Sequence, residues 1–302
     1  MSVVYVDLAE EEMKQIRRGF TLVELLVVIG IIALLIAMLL PAMGAAKKQA
    51  IGLKCMSQMR QLGNALSMYC MDNRGWLPSA DTAGPLYPAN FIGTSGIKTF
   101  STLSPAQTWV GWVDGGPATQ ALLNGTLWKY IQNTCAYRCP ADTNEYRTRS
   151  YSMNTYLCSG SPFGVGLYFN IYKITQAGNA AGTISFAEEA DPRTQGITTK
   201  NTMIDQWNLN GWIQNPLAAD AIPALAPTQD SWGDTIATWH RNGANFTFLD
   251  GHVEYWHFSD PRTINYLKND PTWPTPYYYT PNNVDLNRIR AAVVTWGVQR
   301  TH

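Results

Sequence analysis

Arg17-Arg18-Gly19-Phe20-Thr21-Leu22-Val23-Glu24 opens an apolar run that lasts to Leu40. From Phe20 to Leu40 there are 21 residues, and Glu24 is the only charged one. At about 1.5 Å per residue a helix over this run is roughly 31 Å long, enough to cross the hydrocarbon of a bilayer. Lys14, Arg17 and Arg18 lie just before it. By the positive-inside rule they keep the N-terminus in the cytoplasm and send everything after Leu40 across the membrane. A lone carboxylate in such a helix costs about 2.5–3.5 kcal/mol at the bilayer centre and less near its edge, so a compensating partner is expected. The small residue Gly19 precedes the apolar run, whereas a secretory signal carries its small-residue cleavage site after it.

The segment from Lys14 to Arg60 resembles the class III signal of type IV pilins and type II secretion pseudopilins. The resemblance implies that a prepilin peptidase cuts after Gly19 and N-methylates Phe20. It implies that Glu24, the fifth residue of the mature chain, neutralises the N-terminal amine of a neighbouring subunit in a filament. Pro41 falls where these proteins carry a helix-kinking proline. The partners implied are the peptidase/N-methyltransferase, other pilin or pseudopilin subunits, a secretion or pilus assembly platform, and membrane lipid. The location implied is the inner membrane, as a single-pass protein with its bulk periplasmic or extracellular. Met13 to Gly19 alone would make a short basic leader, so translation starting at Met13 is also compatible with the sequence.

Beyond Gly44, the residues Cys55, Met59, Leu62, Leu66 and Tyr69 recur at steps of four and three, an apolar stripe at helical spacing. The helix is expected to continue through Pro41, kink there, and stop near Asn73-Arg74-Gly75. The chain therefore divides into a leader at 1–19, an assembly helix at 20–73 and a globular region at 74–302. In the last, turn signals dominate 76–125, a short helix is predicted at 122–131, and strands at 150–154 and 183–187. Residues 191–232 read as a surface excursion. Thr235–Trp239, Asn245–Leu249 and His252–Phe258 read as a three-stranded meander, with Asp250-Gly251 as the hairpin signal. A closing helix is predicted over Asp285–Trp296, with Asp285 as its N-cap. The fold class is α+β: a long kinked helix packed on an antiparallel sheet with large loops.

His240, nine intervening residues, then Asp250-Gly251 is a second resemblance. It is similar to the H-x9-DG segment of large pseudopilin-like proteins of Planctomycetes and Verrucomicrobia. A six-residue strand between them would hold His240 and Asp250 roughly 20 Å apart, too far to share a metal. His240, Asp250 and Gly251 are accordingly expected to be hairpin residues, with His240 bonding the first turn and Gly251 supplying positive φ in the second.

The chain has 22 basic and 22 acidic residues. That balance excludes a dominant phosphate-binding surface and with it a nucleic-acid partner. Five cysteines leave an odd thiol. Cys135, Cys139 and Cys158 do not have zinc-finger spacing, and a disulfide from Cys135 or Cys139 to Cys158 is expected. Cys55 and Cys70, about 22 Å apart on one helix, cannot pair with each other and read as core residues. Asp250, His252 and Glu254 offer ligands for a divalent ion such as calcium, although a solvated strand face is the plainer reading; no other cofactor is expected. Glu188, Glu189 and Asp191 are acidic, but neighbours on a strand face opposite ways and cannot act as a catalytic pair. No catalytic motif appears, so the expected function is a non-enzymatic structural subunit of a pseudopilus or pilus-like filament. The competing reading is a displayed binding module in which Trp207, Trp212 and Trp232 stack on sugars.

Overall fold

The computed structural model describes residues 21–80, 110, 118–144, 147–154, 157–158, 171–189, 231–232, 236–269 and 278–293. Gly19, Phe20, Asp191, Trp207 and Trp212 lie outside these residues, as does the side chain of Trp232.

Helix α1 runs unbroken over Leu22–Asp72, through Pro41. It carries two kinds of surface. Residues 21–50 are exposed, including Leu22, Ile29, Leu34 and Leu40. From Cys55 onward one stripe is buried: Cys55, Gln58, Met59, Leu62, Gly63, Ala65, Leu66 and Cys70. The predicted positions fall on that stripe, with Tyr69 half-buried. The helix ends as expected: Arg74 and Gly75 take φ of 55° and 82°, and the Gly75 amide donates to the Cys70 carbonyl at 2.7 Å. This left-handed reversal is what a glycine after the last turn supplies.

The region predicted as one helix at 122–131 is two short ones, α2 (Ala118–Asn124) and α3 (Trp128–Ile131). Strands β1 (Tyr151–Met153), β2 (Ile184–Glu188), β4 (Gly243–Phe248) and β5 (Val253–His257) form an antiparallel sheet in the order β1-β2-β4-β5. Strand β3 (Ser231–Trp232) pairs separately with β6 (Tyr278–Tyr279). All four strands of the main sheet lie where the sequence predicts strands, at 150–154, 183–187, 245–249 and 252–258. The expected strand at 235–239 is instead a single bridge, Ile236 to Glu189. The chain is already turning at Arg241 and Asn242, both at positive φ, and the neighbour of β4 on that side is β2.

Every residue of β4 is buried, so both faces of the sheet are covered. On one face Thr247 meets α1, its hydroxyl donating to the Met59 carbonyl at 3.3 Å. On the other, Ala244, Phe246 and Phe248 share a core with Trp256, Leu286, Ile289 and Val293. Those last three lie on α5 (Val284–Val293); α4 is Pro261–Asn269. The N-cap of α5 is Asn283, whose Oδ1 accepts from the amides of Asp285 and Leu286 at 3.0 Å each. Asp285 is not the cap. Its carboxylate accepts instead from the amides of Ser259 and Asp260, tying α5 to the start of α4.

At Gly63 α1 packs tightly on β4 and the turn that follows it. A Cβ there would lie 2.7 Å from Thr247 Cγ2 and 3.2 Å from Gly251 Cα. Gly63→Leu gains roughly 1 kcal/mol of helix propensity, but overpacking against backbone costs about 3 kcal/mol. The expected result is a net loss of about 2 kcal/mol in urea unfolding of the detergent-solubilised chain.

Candidate functional site

At the start of α1, Thr21 and Glu24 cap one another. Glu24 Oε2 accepts from the Thr21 amide at 2.9 Å and from its hydroxyl at 2.8 Å, while the Glu24 amide donates to Thr21 Oγ1 at 3.2 Å. This reciprocal Thr-x-x-Glu box satisfies backbone donors that a helix start leaves open. It also gives the carboxylate that the sequence left without a partner two donors of its own. In the isolated chain, Glu24 is engaged one residue away from Phe20.

In the globular region the hairpin glycine behaves as expected. Gly251 has φ of 89°, and its amide donates to the Phe248 carbonyl at 2.9 Å. The Asp250 carboxylate accepts from the His252 amide at 3.1 Å. His240 and Asp250 stand at opposite ends of β4 and have different partners. His240 bonds the first turn through its backbone. Its carbonyl makes the turn, accepting from the Gly243 amide at 3.0 Å, while its ring points into the interior. There Nε2 lies 3.0 Å from Glu188 Oε1 and 3.3 Å from Cys139 Sγ. Glu188 is completely buried and is also held by the amide and side-chain nitrogens of Asn245, at 2.9 and 3.0 Å. It is thus an interior anchor at the end of β2.

Cys139 bonds to Cys55, across a sequence separation of 84. This corrects the expected pairing with Cys158. The bridge joins α1 to the Cys139-Pro140-Ala141-Asp142 turn, whose Asp142 is buried and receives Arg147 at 3.0 Å and the Ser150 hydroxyl. Cys135 is exposed and Cys70 buried. Burial pushes the Cys70 thiol up to about 11. Iodoacetamide at pH 8 is therefore expected to label Cys135 in the native chain and leave Cys70 untouched until denaturant is added, as peptide mass mapping would report.

Asp250, His252 and Glu254 do come together, but around a ring. Asp250 Oδ1 meets His252 Nδ1, and Glu254 Oε1 lies 3.4 Å from His252 Nε2. Carboxylates on opposite sides of one imidazole do not converge on a single point. His252 also stacks on Phe248, with ring centroids 4.3 Å apart.

The grouping of Cys55, Cys139, Glu188 and His240 was not visible in the sequence. Its members come from four separate elements, and no local spacing links them. The one local signal was the Cys139-Pro140-Ala141 turn, in which the Ala141 amide donates to Cys139 Sγ at 3.4 Å.

Comparison with known proteins places the N-terminal segment first. The prokaryotic N-terminal methylation motif matches residues 14–40. The chain is 36% identical over 102 residues to the type II secretion system core protein G of Escherichia coli, covering 31% of this chain and 67% of that protein. It is 33% identical over 89 residues to the core protein G of Pectobacterium carotovorum, covering 30% and 50%. It is 28% identical over 145 residues to the type IV wide pilus major component PilA4 of Thermus thermophilus, covering 48% and 94%. No solved structure matches the chain. With the methylation motif, the long apolar helix and the α+β architecture in hand, the chain belongs to the prepilin-type family that includes the type II secretion core protein G and the type IV pilins.

Proposed function

We propose that this chain is a structural subunit of a pseudopilus or pilus-like filament, inserted in the inner membrane with its N-terminus cytoplasmic, cut between Gly19 and Phe20, and methylated at Phe20. The observation that carries the reading is the N-terminal half of α1. It is exposed and apolar throughout residues 25–46, with its single acid, Glu24, at the start. An apolar helix whose side chains are exposed among the described residues needs a lipid or helical environment. A bilayer provides this before assembly and a bundle of like helices provides it afterwards. Glu24 exchanges its Thr21 partners for the methylated amine of a neighbouring Phe20 on entry into the filament. The protein is a substrate of the peptidase rather than an enzyme, and an assembly platform and other pilin-type subunits are its working partners.

The test is to shear or isolate filaments and determine the N-termini of their subunits by mass spectrometry. N-methyl-Phe20 in the filament fraction is the expected result. Uncut chain confined to membranes, or a mature N-terminus elsewhere, would overturn the reading. Gly19→Ala is expected to retain the full precursor, seen as a shift in intact mass.

A further inference from the structure

We propose that Cys55, Cys139, Glu188 and His240 form a four-ligand zinc site in the reduced chain, which the Cys55–Cys139 disulfide replaces on oxidation. This does not depend on the filament reading, since none of the four residues lies in the exposed apolar half of α1.

The four side chains are all buried, and one potential ligand atom from each lies within 4.8 Å of every other. They come from α1, the turn after the 3-10 helix Thr134–Tyr137, the end of β2 and the turn before β4. The way they meet distinguishes a metal site from a catalytic triad. In a triad the thiol and the acid sit on opposite nitrogens of the imidazole, so that a proton passes through the ring. Here Cys139 Sγ and Glu188 Oε1 both face the same nitrogen, Nε2, at 3.3 and 3.0 Å. One nitrogen, one carboxylate oxygen and the sulfurs thus surround a common point. With zinc at about 2.3 Å from sulfur and 2.0–2.2 Å from nitrogen and oxygen, the edges of a tetrahedral site are about 3.3–3.8 Å, near the two separations at Nε2, and opening the disulfide lets the two sulfurs part to that spacing.

The outer contacts fit as well. Metal-bound ligands are held by a second layer of hydrogen bonds. The Ala141 amide donates to Cys139 Sγ, as a backbone amide does to a metal thiolate, and Asn245 holds Glu188 through two nitrogens. Two sulfurs, one imidazole and one carboxylate are a borderline-soft set that suits zinc and disfavours calcium or magnesium. Four protein ligands in a buried place leave no open position for substrate, so the role is structural.

The exchange balances. A tertiary phosphine reduces the disulfide, taking oxygen from water to become the phosphine oxide, and the two hydrogens go to the sulfurs as thiols. Zinc binding then displaces those two protons to the buffer. A two-electron oxidant reverses the sequence, closes the S–S bond and releases the ion.

The experiment uses the full chain in detergent, with zinc or cobalt supplied before a phosphine reductant under anaerobic conditions, followed by desalting. The reduced chain is expected to retain about one zinc ion, and the oxidised chain none above background. Cobalt is expected to give a thiolate charge-transfer band and the visible spectrum of a tetrahedral site. Cys55→Ser and Cys139→Ser each abolish the band, and Asn245→Ala weakens affinity about 10–100-fold while the spectrum is preserved. Reduced wild-type chain that keeps its far-ultraviolet dichroism yet loses zinc to a weak chelator overturns the proposal. So does a reduced chain that unfolds with zinc present. A cobalt band that survives Cys55→Ser, Glu188→Gln or His240→Ala unchanged assigns the ion to other residues and also overturns it.

Discussion

Glu24→Ala chains are expected to be cut after Gly19 as efficiently as wild type and yet to be nearly absent from filaments. The proposed cleavage acts on the Gly19–Phe20 bond, whereas Glu24 sits four residues further into the apolar run. Removing one member of a desolvated ion pair typically costs 3–5 kcal/mol, because the other charge stays buried and unpaired. At 1.4 kcal/mol per tenfold, that is a loss of about two to three and a half orders of magnitude in incorporation. The capping box seen at Thr21 and Glu24 offers a rival explanation, since losing it also frays the helix start. The magnitudes separate the two: a lost cap costs about 1 kcal/mol. Glu24→Gln separates them chemically, because glutamine keeps a side-chain acceptor for the Thr21 amide and loses only the charge. Quantitative mass spectrometry of membrane and filament fractions is the readout. Glu24→Gln should behave like Glu24→Ala, and Thr21→Val should assemble at near wild-type level. Normal filaments from Glu24→Gln would remove the charge-pairing mechanism.

The helix and the hairpin were legible because their signals are local. The stripe from Cys55 to Leu66, the left-handed stop at Gly75 and the positive φ of Gly251 each depend on residues within a turn of one another. The misreadings arose where a tertiary partner decided the outcome. Residues 235–239 alternate like a strand, but β2 already occupies the edge of β4 they would need. Asp285 is as good a cap as Asn283 on propensity alone, and the amides of Ser259 and Asp260 claim its carboxylate. The interior cluster was the least legible of all. Its ligands are brought together by the packing of α1 on the sheet, and Glu188 and His240 are separated by 52 residues. A lone acid closing a mostly apolar strand, Ile184-Ser185-Phe186-Ala187-Glu188, was the hint on the strand itself.

Opening the Cys55–Cys139 bond in metal-free buffer is expected to remove much of the stability of the globular region. The bond closes a loop across a sequence separation of 84. The chain-entropy relation gives about 4.6 kcal/mol for a loop of that length, within a usual range of about 2–5 kcal/mol. Against a typical net stability of 5–15 kcal/mol, that is enough to shift the unfolding midpoint strongly or to unfold a marginal domain. The structural consequence is specific. Cys55 is the first fully buried residue of the α1 stripe, and the bridge fixes where the stripe begins to lie against the Cys139 turn. Further along, Met59 and Gly63 have Thr247 to hold them, so loosening should start at the Cys55 end and spread toward Asp72. Urea titrations of the full chain in detergent, with phosphine and a chelator present or absent, give the magnitude. Amide exchange gives the direction, with protection lost first around Cys55 and last around Leu66. A midpoint unchanged by reduction, with both thiols shown to be open by alkylation, would mean that helix-sheet packing alone fixes α1 and that the bridge is incidental. A midpoint that falls on reduction and returns when zinc replaces the chelator would show the same four side chains clamping the helix in both redox states.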